Sequence, residues 1–352
     1  MSTYDPNGIA LPNGNIFGFP VEESEANIVL IPVPWDATAS YGKGTSDGPK
    51  AILDASLQLD FFHPRLKNAH ETKVFMAPIS KEWKEINERF CLDCIEYIDF
   101  LENGGQVSAN PHFKDVVNQI NNGHLVLKEN LKERVKKLLD SGKLVAILGG
   151  EHSTPLGLIE ALNDRGEEFG ILQIDAHADL RIAYEGFEQS HASIMYNALH
   201  SCDKLIRLVQ IGIRDIAPSE VEMIEKSNGR IQTFFDWQLK QDQFEGKTWK
   251  AQVNDIINEL PQKVYISFDI DGLNPALCPN TGTPVAGGFQ LEEINYLLFS
   301  LLESGREIIG FDLNEVAPGK EDEWDANVGA RVLWNLVVLV EKQRRAKESS
   351  NR

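Results

Sequence analysis

Six apolar runs recur along the chain, separated by stretches in which apolar residues have helical spacing. The runs occupy residues 26–34, 143–150, 169–177, 205–214, 262–272 and 307–316. Continuous apolar runs are typical of strands buried on both faces, and the helices between them supply the crossovers that parallel strands require. The pattern therefore predicts an α/β fold with three layers, α/β/α, around a mainly parallel central sheet.

The chain contains no internal repeat and no low-complexity linker, so the sequence predicts a single domain over residues 1–352. Residues 81–143 differ from the rest of the chain, because most of this segment is rich in charged residues and has its apolar residues at helical spacing. We expect it to be mainly helical and packed against the sheet. The last residues, 341–352, have no apolar period at their end, and we expect a frayed tail.

Acidic residues outnumber basic ones by 53 to 34, which gives a formal net charge of -19. This balance argues against a general affinity for nucleic acid or anionic membranes and suits cationic small molecules. With no signal-like start and no apolar run near the roughly 20 residues of a membrane span, the sequence predicts a cytoplasmic protein. Cys91 and Cys94 form one C-x-x-C in a helical pattern, and without a second such pair we expect plain thiols rather than zinc ligands.

Metal-capable side chains lie at or just after the ends of three of the apolar runs, at the edge of a parallel sheet where ligands bind. These side chains are His152 in GGEHS, Asp175, His177 and Asp179 in DAHAD, and Asp269 and Asp271 in SFDIDG. Alternate residues of an extended segment point the same way, so each group can converge. Four ionised aspartates need cations in a buried pocket. Six oxygen-rich ligands suit two manganese ions, with nickel or cobalt as alternatives.

Each candidate ligand has an ordinary structural alternative. A single aspartate after a strand is commonly a turn residue. His152 precedes Ser153, Thr154 and Pro155, a sequence that also fits the start of a helix. The occurrence of such residues after three separate strands favours a metal site over three unrelated turns.

The blocks GGEHS, DAHAD and SFDIDGLNPALCPNTGTPVAGGF resemble the signature blocks of the ureohydrolases, the family of arginase, agmatinase, guanidinobutyrase and formiminoglutamase. IPVPWDATASYGKGTSDGPKAI and GFDLNEVAP are similar to the N-terminal segment and the last catalytic strand of that family. The resemblance extends over about 300 residues in order. It implies an arginase-like fold, a homo-oligomer (trimer or hexamer), and hydrolysis of a guanidinium group to urea, or of a formimino group to formamide, with release of an amine.

The resemblance also implies roles for individual residues. The six candidate ligands would hold a binuclear manganese centre with a bridging water that attacks the guanidinium carbon. Glu315 would bind the substrate guanidinium, and its alternative is a solvent-facing glutamate. His191 would relay a proton, and its alternative is a loop histidine beside a helix start. Asp179 would also help to pass the proton to the leaving amine.

Three positions depart from the pattern of the family. Glu151 replaces an aspartate, and we expect it to lie outside the ligand set. Ala217 stands where arginine-cleaving relatives carry an aspartate, which disfavours L-arginine. Arg181 replaces an uncharged residue and could bind a substrate carboxylate or pair with Glu185 or another acidic side chain.

The substrate therefore stays open among agmatine, guanidino acids, formiminoglutamate, arginine and guanidine. Agmatine comes first because the short segment HASIM, residues 191–195, resembles agmatinase. Binuclear metallophosphoesterases would need asparagine and further histidine ligands in other blocks, and single-zinc deacetylases have fewer aspartates. A homologue that has lost turnover is a non-enzymatic alternative, although every candidate catalytic residue is present.

Overall fold

A twisted eight-stranded sheet forms the centre of the protein in the computed structural model, which describes residues 5–40 and 42–350. The strands are β1 (Ile28–Val33), β2 (Val74–Met76), β3 (Leu144–Gly149), β4 (Phe169–Ile174), β5 (Leu205–Ile211), β6 (Ile231–Phe234), β7 (Lys263–Asp269) and β8 (Glu307–Asn314). Their order in the sheet is β2-β1-β3-β8-β7-β4-β5-β6, and all neighbours pair in parallel. The predicted parallel sheet is confirmed.

Helices cover both faces of this sheet. They are α1 (Gly48–Ala55), α2 (Lys81–Glu102), α3 (Pro111–Asp140), α4 (Leu156–Asn163), α5 (Ile194–Ser201), α6 (Pro218–Lys226), α7 (Asp236–Phe244), α8 (Trp249–Asn258), α9 (Leu291–Glu303) and α10 (Trp324–Ser350). Neighbouring strand residues Val29 and Leu30 belong to two separate apolar cores, because successive side chains point to opposite faces. The α/β/α layering is thereby confirmed. Within the described residues, no helix is both long and apolar enough to cross a lipid bilayer.

The apolar pattern of the sequence did not predict the two edge strands. Strand β2 has three residues and β6 has four, which is too short for a recognisable apolar run. Both lie at the ends of the sheet, where a strand needs only one partner. The six predicted runs correspond to the six inner strands.

The segment 81–143, which the sequence predicts to be mainly helical, contains α2 and α3. The hydroxyl of Ser80 accepts from the Trp83 amide, and the side chain of Asn110 caps α3 ahead of Pro111 at its first turn, as expected for helix starts. Cys91 and Cys94 are free thiols on α2.

The chain end differs from the expectation of a frayed tail. Helix α10 continues to Ser350, and residues 351–352 lie outside the described residues. The side chain of Gln343 accepts from the Ile308 amide at 2.7 Å and donates to the Ile308 carbonyl at 2.9 Å. The buried Glu341 carboxylate pairs with Arg344 and Arg345. The long-range bonds of Gln343 and the local ion pairs of Glu341, which leave no apolar period in the sequence, therefore order the helix end.

The docking of α10 can be tested at Gln343. We expect Gln343→Ala to lower the free energy of unfolding by about 1–3 kcal/mol, because it leaves two buried backbone groups of β8 without partners. Urea denaturation measures this change. The control Glu348→Ala, which removes only an exposed ion pair with Arg344, should cost less than about 0.5 kcal/mol. Equal stability of Gln343→Ala and wild type would contradict the docking.

Candidate metal centre

The carboxyl ends of four neighbouring strands meet at one edge of the sheet. Strands β3, β8, β7 and β4 lie side by side, and parallel strands end at the same edge. The predicted site residues follow these strands: His152 after β3, Asp175, His177 and Asp179 after β4, Asp269 and Asp271 at the end of β7, and Glu315 after β8. The fold therefore brings together residues that lie far apart in the sequence.

Two glycines ahead of His152 permit this close approach. A Cβ atom on Gly149 would lie 1.8 Å from the side-chain oxygen of Asn314, and one on Gly150 would lie 1.9 Å from the carbonyl oxygen of Trp35. Neither position has room for a side chain. The Gly-Gly pair of GGEHS thus allows the chain to turn directly after β3, which places His152 in the site.

The first cluster of ligand atoms surrounds the imidazole of His152. Its Nδ1 lies 2.9 Å from Asp175 Oδ2, 3.0 Å from Asp179 Oδ2 and 3.3 Å from Asp269 Oδ2. All four side chains are buried. The ligand atoms of His152, Asp175 and Asp179 lie within 4.8 Å of one another, and with Asp269 beside His152 this set could hold one cation.

The second cluster shares Asp175 with the first. His177 Nδ1 lies 3.0 Å from Asp271 Oδ2 and 3.6 Å from Asp175 Oδ1. Asp175 thus directs one carboxylate oxygen to each cluster. The two adjacent clusters contain all six predicted ligands, and the carboxylate of Asp175 belongs to both.

Backbone amides orient the carboxylates for this purpose. Asp269 Oδ1 accepts from the Asp271 amide at 2.8 Å, and Asp271 Oδ1 accepts from the Ala176 amide at 3.0 Å. Each side chain therefore has one oxygen fixed by the backbone, while its second oxygen faces a histidine. The backbone of Asp179 adopts a φ of 53°, a strained conformation of the kind that concentrates at functional sites.

The hydrogen bonds of His152 fit a metal ligand. Its Nε2 lies 2.8 Å from Ser267 Oγ, and the Ser267 hydroxyl donates to Asp312 Oδ1 at 3.2 Å. Since that hydroxyl uses its proton on Asp312, Nε2 must be the donor of His152. Nδ1 then presents a lone pair to three carboxylates and makes no hydrogen bond within the described residues. A bound cation would satisfy this buried atom and the surrounding oxygens together.

The charges of the cluster support the same conclusion. Burial, followed by the charge of Asp175, raises the pKa of Asp179 to about 7. Burial and the neighbouring Asp271 and Asp175 raise the pKa of Asp269 well above its usual value. Burial lowers the pKa of His152, but contacts with three aspartates outweigh burial and raise it. Positive charge is thus required here, from protons or from metal ions.

Glu315 lies beside the two clusters rather than in solvent. Its Oε1 accepts from the His152 amide at 2.8 Å, and its own amide donates to the Gly150 carbonyl at 2.8 Å. The residue is buried, with a φ of 62°. Burial and the nearby Glu151 raise its pKa well above the ordinary value. Oε2 lies near Gly282, on the side away from the fixed oxygen.

His191 follows a loop that passes over the same edge of the sheet. Its ring packs against Tyr184 in a T-shaped arrangement with centroids 5.8 Å apart. Burial, together with the charge of His177, lowers the pKa of His191 to about 3. The ring is therefore neutral at physiological pH, and its Nδ1 has no hydrogen-bond partner among the described residues.

Arg181 lies at the rim of the site. Its guanidinium covers the Tyr184 ring at 4.8 Å, and its Nε is 4.0 Å from Glu220 Oε2. The side chain remains 40% exposed. Glu220 also accepts from the Leu180 and Ala217 amides at 2.9 Å each, so it is a fixed neighbour. The nearby carboxylate is thus Glu220 and not Glu185.

Glu151 lies outside both clusters, as expected. Its carboxylate accepts from the Thr38 hydroxyl at 2.7 Å, the Thr38 amide at 3.0 Å and the Ser153 hydroxyl at 2.6 Å. Burial raises its pKa to about 7. Glu151 therefore ties the turn after β3 to the segment after β1.

Sequence reasoning missed the polar residues beneath the ligands. Asp312 Oδ1 accepts from Asn314 Nδ2 at 2.6 Å, and Asn314 Oδ1 accepts from the Thr154 hydroxyl at 2.8 Å. Together with Ser267, these residues orient His152 from below. The alternation of Asp312 and Asn314 with apolar residues in FDLN was the available signal, because it placed two polar side chains on one face of a buried strand.

Comparison with known proteins identifies a family. The model of the arginase family matches residues 26–339. An N(1)-aminopropylagmatine ureohydrolase from Synechocystis is 30% identical over 302 residues, covering 84% of this chain and 83% of the relative. An agmatinase from Bacillus anthracis is 29% identical over 300 residues, with 84% and 85% covered.

Solved structures share the fold. The agmatine ureohydrolase of Thermoplasma volcanium superimposes with a TM-score of 0.73 at 21% identity, covering 96% of this chain and 97% of that one. An arginase from Bacillus subtilis gives a TM-score of 0.63 at 20% identity, with 90% and 98% covered. At this level of identity, the likeness concerns the fold.

Metal binding should stabilise the folded protein. We expect Mn²⁺ at a hundredfold excess over its dissociation constant to stabilise chelator-stripped protein by about 2.7 kcal/mol per site, seen as a rise in Tm. Asp175→Asn removes the shared carboxylate and should abolish most of this rise, whereas Asp140→Asn on the exposed end of α3 should keep it. Elemental analysis should give two metal ions per wild-type chain. A Tm that does not change on addition of Mn²⁺, or an equal rise in Tm for both variants, would contradict a metal centre.

Proposed function

Because the chain belongs to the arginase family of hydrolases, we propose that it is a manganese-dependent ureohydrolase that cleaves a guanidino compound into urea and an amine. Agmatine is the first candidate substrate. The observation that carries this proposal is the pair of histidine–carboxylate clusters that share Asp175. Relatives named agmatinase and N(1)-aminopropylagmatine ureohydrolase add support.

The donor atoms favour manganese. His152, Asp175, Asp179 and Asp269 would hold one ion, and Asp175, His177 and Asp271 the other, with oxygen atoms in the majority. Hard, oxygen-rich sites suit Mn²⁺, while Ni²⁺ and Co²⁺ tolerate the same imidazoles. When bound, two such cations supply the positive charge that activates a water molecule for attack and neutralises the buried aspartates.

Glu315 would orient the substrate. With Oε1 fixed by the His152 amide, its remaining acceptor capacity is available to the N–H groups of a guanidinium. A guanidinium and a carboxylate match in geometry and charge. The guanidinium would also compensate the negative charge of Glu315, so that bound substrate would favour the ionised form of this buried side chain.

Asp179 and His191 would move protons. The raised pKa of Asp179 suits a carboxylate that takes the proton from the attacking water and passes it to the departing amine. The pKa of about 3 makes the His191 ring a weak base, so it would relay a proton only transiently. The route would be a hydrogen bond that its Nδ1, without a partner among the described residues, accepts from the substrate. Asp179 belongs to the first cluster, and His191 is near enough to His177 for the charge of His177 to lower its pKa.

A guanidino acid is the second candidate substrate. Arg181 is 40% exposed, and its Nε lies 4.0 Å from Glu220 Oε2, so a substrate carboxylate could still bind its guanidinium. L-Arginine is disfavoured, because Ala217 offers no carboxylate to an α-amino group. Formiminoglutamate and guanidine complete the panel of candidates.

A substrate panel tests the proposal. We expect protein loaded with Mn²⁺ to release urea from agmatine with a kcat/KM at least about tenfold above that for L-arginine, and separate samples loaded with Ni²⁺ or Co²⁺ compare the metals. Guanidino acids, formiminoglutamate and guanidine are assayed in parallel for urea, formamide and ammonia. Absence of these products from every compound with every metal would refute a ureohydrolase.

Arg181→Gln separates the two substrate classes within the same panel. If Arg181 binds a substrate carboxylate, this variant loses activity selectively toward guanidino acids. If Arg181 acts only through Tyr184 and Glu220, kcat/KM falls by the same factor for agmatine and for guanidino acids. The ratio of the two kcat/KM values, compared with wild type, decides between these roles.

Glu315 provides a further test. We expect Glu315→Gln to lower kcat/KM for the best substrate by roughly 100-fold to 1000-fold, because the charged partner of the guanidinium is lost, while two metal ions remain bound. The exposed Glu323→Gln is the matched control and should retain wild-type kinetics. Retention of full activity by Glu315→Gln would show that another group binds the guanidinium.

A further inference from the structure

The loop that leads to His191 contains a strained turn. Residues 184–191, here named the His191 loop, begin with paired hydrogen bonds: the Tyr184 amide donates to the Phe187 carbonyl at 3.1 Å, and the Phe187 amide donates to the Tyr184 carbonyl at 2.8 Å. Between them, Glu185 and Gly186 have φ values of 53° and 86°, as a type I′ turn requires. A left-handed conformation is unfavourable for glutamate, so contacts elsewhere must hold this turn.

Those contacts come from α2 and α3. The Tyr97 hydroxyl donates to the Glu185 carbonyl at 2.7 Å. Asn121 Nδ2 donates to the Gly186 carbonyl at 3.1 Å, and Asn121 Oδ1 accepts from the Glu188 amide at 3.1 Å. The carbonyl groups that accept these bonds belong to the two residues with left-handed backbone. Helices α2 and α3 therefore hold the turn by hydrogen bonds at its two strained residues.

Aromatic contacts connect the turn with α2 and with His191. The ring of Tyr97 packs against the fully buried Phe187 with centroids 5.6 Å apart. At the start of the same turn, Tyr184 packs against His191. Loosening the turn would release the ring of Tyr184 and, with it, the wall that fixes His191.

Helix α3 also reaches the metal-ligand side of the site. His124, one helical turn after Asn121, is buried, and its Nε2 lies 3.1 Å from Ser153 Oγ. Ser153 is the residue that follows His152. One face of α3 thus contacts both the His191 loop and the turn after β3, which sets the two segments at a fixed separation.

We propose that Tyr97 and Asn121 are positioning residues that hold the His191 loop in its working conformation. This role gives the segment 81–143 a function in catalysis through Tyr97 and Asn121, which are not among the candidate metal ligands. It rests on the proposed function of His191 in ureohydrolysis. The grip on the loop itself can be measured without turnover.

Amide hydrogen exchange tests the grip directly. Tyr97→Phe removes one hydroxyl and no amide partner, so faster exchange at Phe187 and Glu188 would report a loosened turn. We expect exchange at these two amides to rise about threefold to tenfold in this variant. Asn121→Leu should produce the same change at Phe187. Asn122→Leu, an exposed neighbour on α3, is the matched control and should exchange like wild type.

Kinetics test the link to His191. With the substrate that gives most urea, we expect Tyr97→Phe and Asn121→Leu to lower kcat about threefold to tenfold and to leave bound metal unchanged. In a His191→Ala background, either substitution should have no further effect on kcat. A merely structural role would lower kcat by the same factor in both backgrounds.

Unchanged exchange at Phe187 in both variants would overturn the proposal, as would losses of kcat that persist undiminished in the His191→Ala background. If wild type releases no urea from any guanidine, the proposed function fails. The exchange of Phe187 and Glu188 still decides whether Tyr97 and Asn121 hold the loop.

Discussion

The burial of four aspartates at one edge of the sheet is the constraint on which the site depends. Four negative charges in a dry pocket repel each other strongly and cannot all persist without compensation. Burial raises the pKa of Asp179 and Asp269, whereas neighbouring imidazoles lower that of Asp175. The arrangement becomes stable and fully ionised only with added positive charge. A protein that keeps such a cluster has a site shaped for cations.

The order of strands makes this cluster possible. Chain order and sheet order differ, since β8 lies between β3 and β7, and β7 lies beside β4. Crossovers through the helical layers bring His152, Asp269 and Glu315 to one place although more than a hundred residues separate the first two. Local backbone features then aim the side chains: Asp179 and Glu315 have positive φ values, and Gly149 and Gly150 remove steric bulk. The strand order thus brings the site residues together, and the local backbone conformation orients their side chains.

The sequence predicted the features that depend on residues close together in the chain, namely the inner strands and the polar residues at their ends. Inner strands appear as apolar runs because both faces are buried, and alternate aspartates and histidines mark the strand ends. The edge strands β2 and β6, with one partner each, leave weaker patterns. The end of α10 depends on Gln343 bonding to Ile308, and the surroundings of Arg181 depend on Glu220 and Tyr184. Such contacts join distant segments through polar atoms and have no periodic signature.

The division of labour within the site has a consequence for specificity. The candidate metal ligands lie at the end of β7 or in the segments directly after β3, β4 and β7, and backbone amides fix the carboxylates of Asp269 and Asp271. His191, Tyr184 and Arg181 belong to a loop and its rim, and α2 and α3 hold that loop through Tyr97 and Asn121. Changes in the two helices can thus alter how a substrate tail fits without disturbing the charges that hold metal. A fold with a rigid reaction centre and a separately supported rim can keep one chemistry while its substrate changes.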